Sequence, residues 1–468
     1  MQESLLGLLD KRRTIAGPGF HRWLVPPAAL CVHLCIGMAY GFSVFWLPLT
    51  RAVGITQPVP CPPSLGLLGR LTTTTYDWDK PLLGWMYTLF FVFLGSSAAL
   101  FGTWLERAGP RKAAVVSAVC WCGGLVIAAA GVYWHQLWVL WLGSGVIGGI
   151  GLGLGYISPV STLIKWFPDR RGMATGMAIM GFGGGALIGA PFGSELLRHF
   201  ATPHSTGVME AFLVMGVVYF CFMVFGSMTV RVPPPGWKPA GFVPRTVEQE
   251  LVTTANVTAD EAIKTPQFWL LWAVLCLNVT AGIGILGQAS NMCQSMFGVP
   301  KTVGDGFAGF LSIFNMGGRF FWSSTSDYTG RKRVYFIYFL LGAVLYCLVP
   351  LTQRMGNVAF FVGVTALIIS MYGGGFATIP AYLRDMFGTM QVGAIHGRLI
   401  TAWSMAAVLG PQLVTYISEY QKSRNVPVAQ SYNFTMYLMA ALLVIGACCN
   451  ACIRAVDRRH HWKGEKPS

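Results

Sequence analysis

The chain has 468 residues, of which 54% are apolar and only 11% charged, less than half the charged share of an average soluble domain. That composition excludes an ordinary soluble enzyme or binding module and places the chain in the membrane class. The net charge of +15 leaves two explanations to separate, contact with nucleic acid or orientation in a bilayer. Alternating segments of about ten residues, the signature of a membrane β-barrel, do not occur.

A spanning helix needs roughly 20 predominantly apolar residues. Twelve stretches qualify, and they predict an all-α membrane protein of twelve transmembrane helices. Residues 1–22 read as a cytoplasmic N-terminal tail, basic over 11–22. The apolar stretch 23–47 is too long for a signal peptide and reads as a retained helix 1, carrying His33 and Tyr40. The loop 48–80, rich in proline and threonine, leads to helix 2 at 81–105. A charged turn follows, then helices at 112–133, 137–163, 173–197 and 208–230. Helix 4 contains Gly143, Gly145, Gly148, Gly149, Gly151, Gly153 and Gly155, ending in Tyr156 and Pro159. No strand precedes this glycine run, so it predicts close helix packing rather than a nucleotide loop. The six helices of 23–230 form one half.

A polar stretch at 231–265 divides the chain, opening with Val232-Pro233-Pro234-Pro235-Gly236. Within it Thr246 to Ile263 could form a short surface helix. Thr265 and Pro266 are the expected cap and first residue of helix 7. The second half, 266–454, carries helices at 266–290, 304–326, 334–352, 357–382, 393–417 and 432–454. A basic cytoplasmic tail, 455–468, ends the chain. Twelve cysteines are scattered along the chain, many of them inside the apolar segments, without zinc-ligand spacing, so neither a metal site nor any cofactor is expected.

The basic residues sort by side. With both termini cytoplasmic, 24 Lys and Arg fall inside and 8 outside, Arg319 belonging to neither. This is the positive-inside pattern, so the charge is a topology signal and no nucleic-acid partner is expected. The two halves also repeat at an offset of 221 residues. Glu106 matches Asp327, Gly109 matches Gly330, Arg111 matches Lys332, Pro159 matches Pro380, and Gly172 and Gly176 match Gly393 and Gly397. Parallel six-helix repeats are the organisation of a rocking transporter whose site lies at the midplane.

Arg319 is the most informative residue. It stands in Asn315-Met316-Gly317-Gly318-Arg319, eight residues before Asp327, or about 12 Å into the helix. A guanidinium at that depth is costly and faces a cavity, and its planar fork fits a carboxylate. The alternative is a structural arginine bonded to backbone carbonyls. No second basic residue sits at comparable depth, and one charge suits one carboxylate, since a dianion would bury an unpaired negative charge. Among titratable groups His33 is the only deeply placed histidine, a possible proton site or a packed hydrogen-bonding group. Tyr40, Tyr156, Gln288, Tyr372 and Trp403 are pocket candidates.

The turn Gly102-Thr103-Trp104-Leu105-Glu106-Arg107-Ala108-Gly109-Pro110-Arg111-Lys112 resembles the G-x-x-x-D-R-x-G-R-R loop of the major facilitator superfamily, with Glu for Asp. Ser323, Asp327, Gly330, Arg331 and Lys332 form a weaker copy. The carboxylates there can hold one conformation closed by pairing with basic groups or helix ends, which makes Glu106, Arg107, Arg111, Asp327 and Arg331 candidate gate residues.

Nearly the full chain resembles one branch of that superfamily, the oxalate:formate antiporter family, related to the monocarboxylate transporters. The resemblance rests on Tyr40-Gly41-Phe42-Ser43, the helix 4 glycines, Thr265-Pro266-Gln267-Phe268-Trp269, Thr280-Ala281-Gly282, Gly318-Arg319, Tyr372-Gly373-Gly374-Gly375 and Gly397-Arg398-Leu399-Ile400-Thr401-Ala402-Trp403. It implies twelve helices, alternating access and exchange of small carboxylates, with Arg319 binding the carboxylate and Tyr40 lining the pocket. Two departures matter. The oxalate transporter has a lysine in helix 11 where this chain has Trp403, which argues against oxalate. Proton-coupled monocarboxylate transporters carry an aspartate four residues before the arginine, and here that residue is Asn315. The expectation is therefore an inner-membrane, monomeric carrier of a small monocarboxylate such as formate, pyruvate, lactate or acetate, working as an exchanger and not as an enzyme. Its rivals are oxalate:formate exchange proper, a drug exporter, and a membrane sensor without transport.

Overall fold

The structure is a computed structural model that describes residues 7–62, 64–242 and 251–464, apart from the side chain of Asp305. It is helical throughout the predicted segments. The long helices are α1 (Arg22–Leu49), α2 (Lys80–Ala108), α3 (Pro110–Tyr133), α4 (Leu137–Trp166), α5 (Arg171–Phe200), α6 (Val208–Thr229), α7 (Pro266–Phe297), α8 (Lys301–Thr329), α9 (Arg331–Arg354), α10 (Val358–Phe387), α11 (Val392–Ser423) and α12 (Asn433–Cys452). Among the described residues, eleven spans are apolar enough to cross a membrane by length and composition. The exception is α8, which at 29 residues is long enough but carries a polar stripe.

That stripe explains α8. Asn315, Arg319, Ser323 and Ser326 recur at helical spacing and are buried, while Phe310, Phe314 and Phe321 are exposed. Polar groups face protein and aromatic groups face outward, the reverse of a soluble amphipathic helix.

Two spans depart from the regular α-helix that the sequence predicts. α1 is α-helical over Val25–Ile36, then tightens to a 3-10 helix over Gly37–Phe45. α4 widens to a π-helix over Trp141–Ile147, where α3 presses on it backbone to backbone. A Cβ on Gly143 would sit 2.5 Å from Ala128 N, and one on Gly124 2.7 Å from Gly143 O. Thr265 caps α7 as expected, its hydroxyl accepting from Phe268 N at 3.3 Å. The surface helix expected over Thr246 to Ile263 is corrected. Residues 246–250 lie outside the described residues, and of the remainder only Ala259–Ala262 is helical. The peptide groups before it bond to the end of α10 instead, with Thr253 N donating to Asp385 O and Val257 N to Phe387 O.

The chain forms two compact units. The first is Met1–Thr162 with Gly184–Pro235, and the second is Leu163–Gly183 with Gly236–Ser468. The first half of α5 therefore belongs to the second unit. Each unit carries its copy of the repeat. Gly109 ends α2 at φ 85°, ψ 163°, and Gly330 ends α8 at φ 89°, ψ 145°. This positive-φ conformation strains any residue with a Cβ, and it turns the chain directly into the next helix. The matched basic residues then do matched work. Arg111 donates to Met228 O at the end of α6 (3.2 Å), and Lys332 to Ala451 O at the end of α12 (3.0 Å). Each satisfies carbonyls that a helix end leaves without an intrahelical partner.

Candidate functional site

In the second unit α8 and α10 touch through glycine. A Cβ on Gly318 would lie 2.1 Å from Ser370 O, and one on Gly373 2.3 Å from Asn315 O. This approach brings Arg319 against α10, with its side chain fully buried. Arg319 Nε donates to Asn315 Oδ1 at 3.1 Å and Nη1 to Ile179 O at 3.4 Å. The rings of Phe182 and Phe376 lie 5.6 and 5.4 Å from the guanidinium carbon, within cation–π range. Nη2 is buried and, among the described residues, has no hydrogen-bond partner. No carboxylate among them pairs with Arg319. Its anchors are a neutral amide and one carbonyl, so the charge is oriented but not neutralised.

Trp403 joins this group. It is buried and packs edge-on against Phe376 at 4.6 Å and Phe182 at 5.3 Å, the two rings that flank Arg319. Tyr372 precedes Gly373 and lies against α7, where a Cβ on Gly282 would come within 2.3 Å of its ring. Gln288 is not brought to Arg319. α7 and α8 are antiparallel neighbours, and Gln288 lies nine residues from the shared end of α7 whereas Arg319 lies eighteen from that end of α8, about 13 Å apart in depth. Gln288 instead donates to Thr415 Oγ1 (3.2 Å) and accepts from Asn291 (3.0 Å), beside a polar cavity of about 400 Å³ that also reaches Glu419 and Lys422.

Tyr40 and Tyr156 lie in the first unit, Tyr40 on the 3-10 stretch of α1. Tyr156 stacks on His33 at 5.5 Å between ring centroids, and His33 Nε2 bonds to Tyr156 O at 3.1 Å. A carbonyl only accepts, so Nε2 carries a proton. His33 is fully buried, in the packed hydrogen-bonding arrangement.

The expected gate residues divide. Asp327 accepts from Gly172 N (2.8 Å) and Met173 N (2.9 Å) in the first turn of α5 and pairs with Arg331 at 2.6 Å. Negative charge at a helix N-terminus is favourable. Arg331 also pairs with Asp385 (3.2 Å), which pairs in turn with Arg171 (2.6 Å) and Arg384 (3.8 Å), so two carboxylates and three guanidinium groups form a network. Asp385 and Arg171 were missed from the sequence. The available signal was an acid at the end of an apolar helix, in Leu383-Arg384-Asp385. Arg111 does not join this network. It donates to Leu8 O and Met228 O within the first unit, beside Lys11, whose Nζ donates to Glu106 O at 2.6 Å. Arg107 lies one residue further on, in the last turn of α2.

Repeated helical halves that turn phenylalanines outward and hide a guanidinium at mid-helix define a membrane transporter rather than an enzyme. The description "Major Facilitator Superfamily" matches residues 29–327 and 307–467, nearly the whole chain, and the chain belongs to that family. The oxalate:formate antiporter of Oxalobacter formigenes is 29% identical over 56% of this chain, a match that spans 59% of the antiporter's own length. Apicoplast pyruvate carrier 1 of Toxoplasma gondii is 22% identical, covering 92% of this chain and 88% of the carrier. Human monocarboxylate transporter 14 is 22% identical, covering 86% and 89%. Among solved structures the Escherichia coli fucose:proton symporter FucP superposes with a TM-score of 0.63 at 10% identity, over 92% of this chain and 99% of the symporter. This likeness carries the fold alone.

Proposed function

We propose that the protein exchanges a small monocarboxylate across the inner membrane by alternating access, with both termini cytoplasmic. The observation that carries this reading is Arg319, a fully buried guanidinium held by neutral groups with Nη2 unpartnered among the described residues. A buried unpaired charge is costly, and a carboxylate is the partner whose geometry and charge offset that cost. One such charge matches one carboxylate. The names of the relatives, an oxalate:formate antiporter, a pyruvate carrier and a monocarboxylate transporter, favour the same chemical class.

In this reading Arg319 clamps the carboxylate, and Trp403, through Phe182 and Phe376, gives the clamp an apolar wall that disfavours a second negative charge. Tyr372 is a further pocket residue, Gln288 with its polar cavity serves as a vestibule, and Tyr40 and Tyr156 are proposed as substrate contacts of the first unit. Asp327, Arg331, Asp385 and Arg171 hold the cytoplasmic gate, while Arg111, and Lys11 through the Glu106 carbonyl, brace the first unit. His33, bonded to a backbone carbonyl, is structural, and coupling is to the exchanged anion rather than to protons. The test is uptake of labelled formate, pyruvate, lactate and oxalate into liposomes loaded with unlabelled carboxylate. Arg319-dependent uptake of a monocarboxylate supports the reading. Exchange of oxalate above all others replaces it with oxalate:formate exchange proper, and no carboxylate uptake by folded protein refutes both.

A further inference from the structure

The first unit holds a cavity of about 30 Å³ lined by Met38 and Phe42 of α1, Trp121 of α3, Ser144 of α4, and Met215 and Tyr219 of α6. Its walls are mostly aromatic and aliphatic, yet Tyr87, Trp121, Ser144 and Tyr219 bring polar atoms to them. Trp121 Nε1, Ser144 Oγ and Tyr219 Oη are buried and, among the described residues, have no hydrogen-bond partner. Trp121 and Tyr219 are 6% and 7% exposed. A buried polar group without a partner carries its full desolvation cost, so three around a dry void would weigh heavily on a marginally stable fold. A bound water needs roughly 10–15 Å³ and two to four polar partners. The volume suits about two waters by that measure, and an indole N–H with two hydroxyls supplies both donors and acceptors.

The cavity also sits where both irregular helices meet. The 3-10 stretch Gly37–Phe45 contributes Met38 and Phe42, and the π stretch Trp141–Ile147 contributes Ser144. Three-ten and π turns inside longer helices mark hinges and functional sites, and water entering the backbone ladder is one cause of helix bending. We propose that this cavity is a water site of about two molecules, bound by Trp121, Ser144 and Tyr219, that lets the Tyr40-bearing stretch of α1 change its winding during transport. Water can exchange backbone partners as a 3-10 turn relaxes to an α turn, which packed side chains cannot do.

Hydroxyl-radical footprinting with mass spectrometry, on the full chain in lipid nanodiscs, tests this directly. Radicals formed from bound water mark side chains that bulk solvent does not reach. Trp121 and Tyr219 are expected to oxidise several-fold faster than Trp166, and Met215, at 1% exposure, several-fold faster than Met223 and Met292 at 0%. Tyr219→Phe and, independently, Ser144→Ala should lower that labelling several-fold and slow turnover while leaving KM unchanged. Labelling of Trp121 and Tyr219 no greater than that of Trp166, or binding of xenon in the cavity, would show a dry site and overturn the proposal. Turnover unchanged in both variants would overturn the hinge role. The footprinting readout does not depend on the transported anion, so it stands apart from the carboxylate reading.

Discussion

Asp327→Asn isolates the charge in the network at the start of α5. The carboxylate accepts two backbone N–H bonds, from Gly172 and Met173, and pairs with Arg331. Hydrogen bonds to a charged group contribute about 1.5–3 kcal/mol against roughly 1 for neutral ones. The amide keeps one neutral acceptor, and Arg331 keeps Asp385. The loss therefore comes to about 1 kcal/mol per backbone bond plus a similar amount for the ion pair, about 3 kcal/mol in all. That is a factor of about 150 in the local opening equilibrium. Hydrogen exchange read by mass spectrometry over residues 169–180 measures it, because amide protection reports local opening free energy. Exchange at Gly172 and Met173 should speed up by about two orders of magnitude, with distant peptides in α12 unaffected. Unchanged protection at these amides would refute the assignment of Asp327 as the anchor of α5.

Gly318→Ala should destabilise the protein by about 1–3 kcal/mol or more through overpacking against Ser370, lowering the Tm. The neighbouring Gly317→Ala, with open space around its Cβ, should leave it unchanged, and thermal unfolding compares the two. Arg319→Lys keeps the charge but loses the fork anchored on Asn315, so carboxylate KM should rise about tenfold or more. His135 is stacked on Trp78 at 4.3 Å, and burial holds its pKa below the ordinary 6.5. Its contribution to stability is present above pH 6.5 and is lost as pH falls through its lowered folded pKa. The Tm should therefore drop more between pH 7.5 and 5 in the native protein than in His135→Gln. Arg111→Ala should lower the Tm, because the carbonyls of Leu8 and Met228 lose their donor, and should leave hydrogen exchange at Gly172 unchanged.

Much of the fold is legible in the sequence because a bilayer makes every spanning segment declare itself by length and apolarity. Even α8, the least apolar span, shows its inward stripe as Asn315, Arg319 and Ser323 at i, i+4 and i+8. The 221-residue offset likewise anticipates Gly109 and Gly330, because a turn that needs positive φ selects glycine in both copies. The 3-10 stretch of α1 and the π stretch of α4 were not legible. They arise where neighbouring helices press on the backbone, and no local propensity encodes that. Arg319 was legible through the cost of burying a charge, but its anchors Ile179 O and Phe182 lie about 140 residues away in the chain. Asp385 hid for the same reason, pairing with Arg331 and with Arg171 across 54 and 214 residues. Gln288 reads in the sequence only as a pocket candidate, and its depth, nine residues from the end of α7 against eighteen for Arg319 from the start of α8, emerges once the two helices pair.

Equilibrium binding of labelled formate or pyruvate to the purified protein, set beside Arg319→Gln, tests the clamp most directly. Saturable binding of one anion per chain, weakened at least tenfold by Arg319→Gln in a protein of native Tm, is the predicted result. Equal affinity in the two proteins would contradict it and return Arg319 to a structural role.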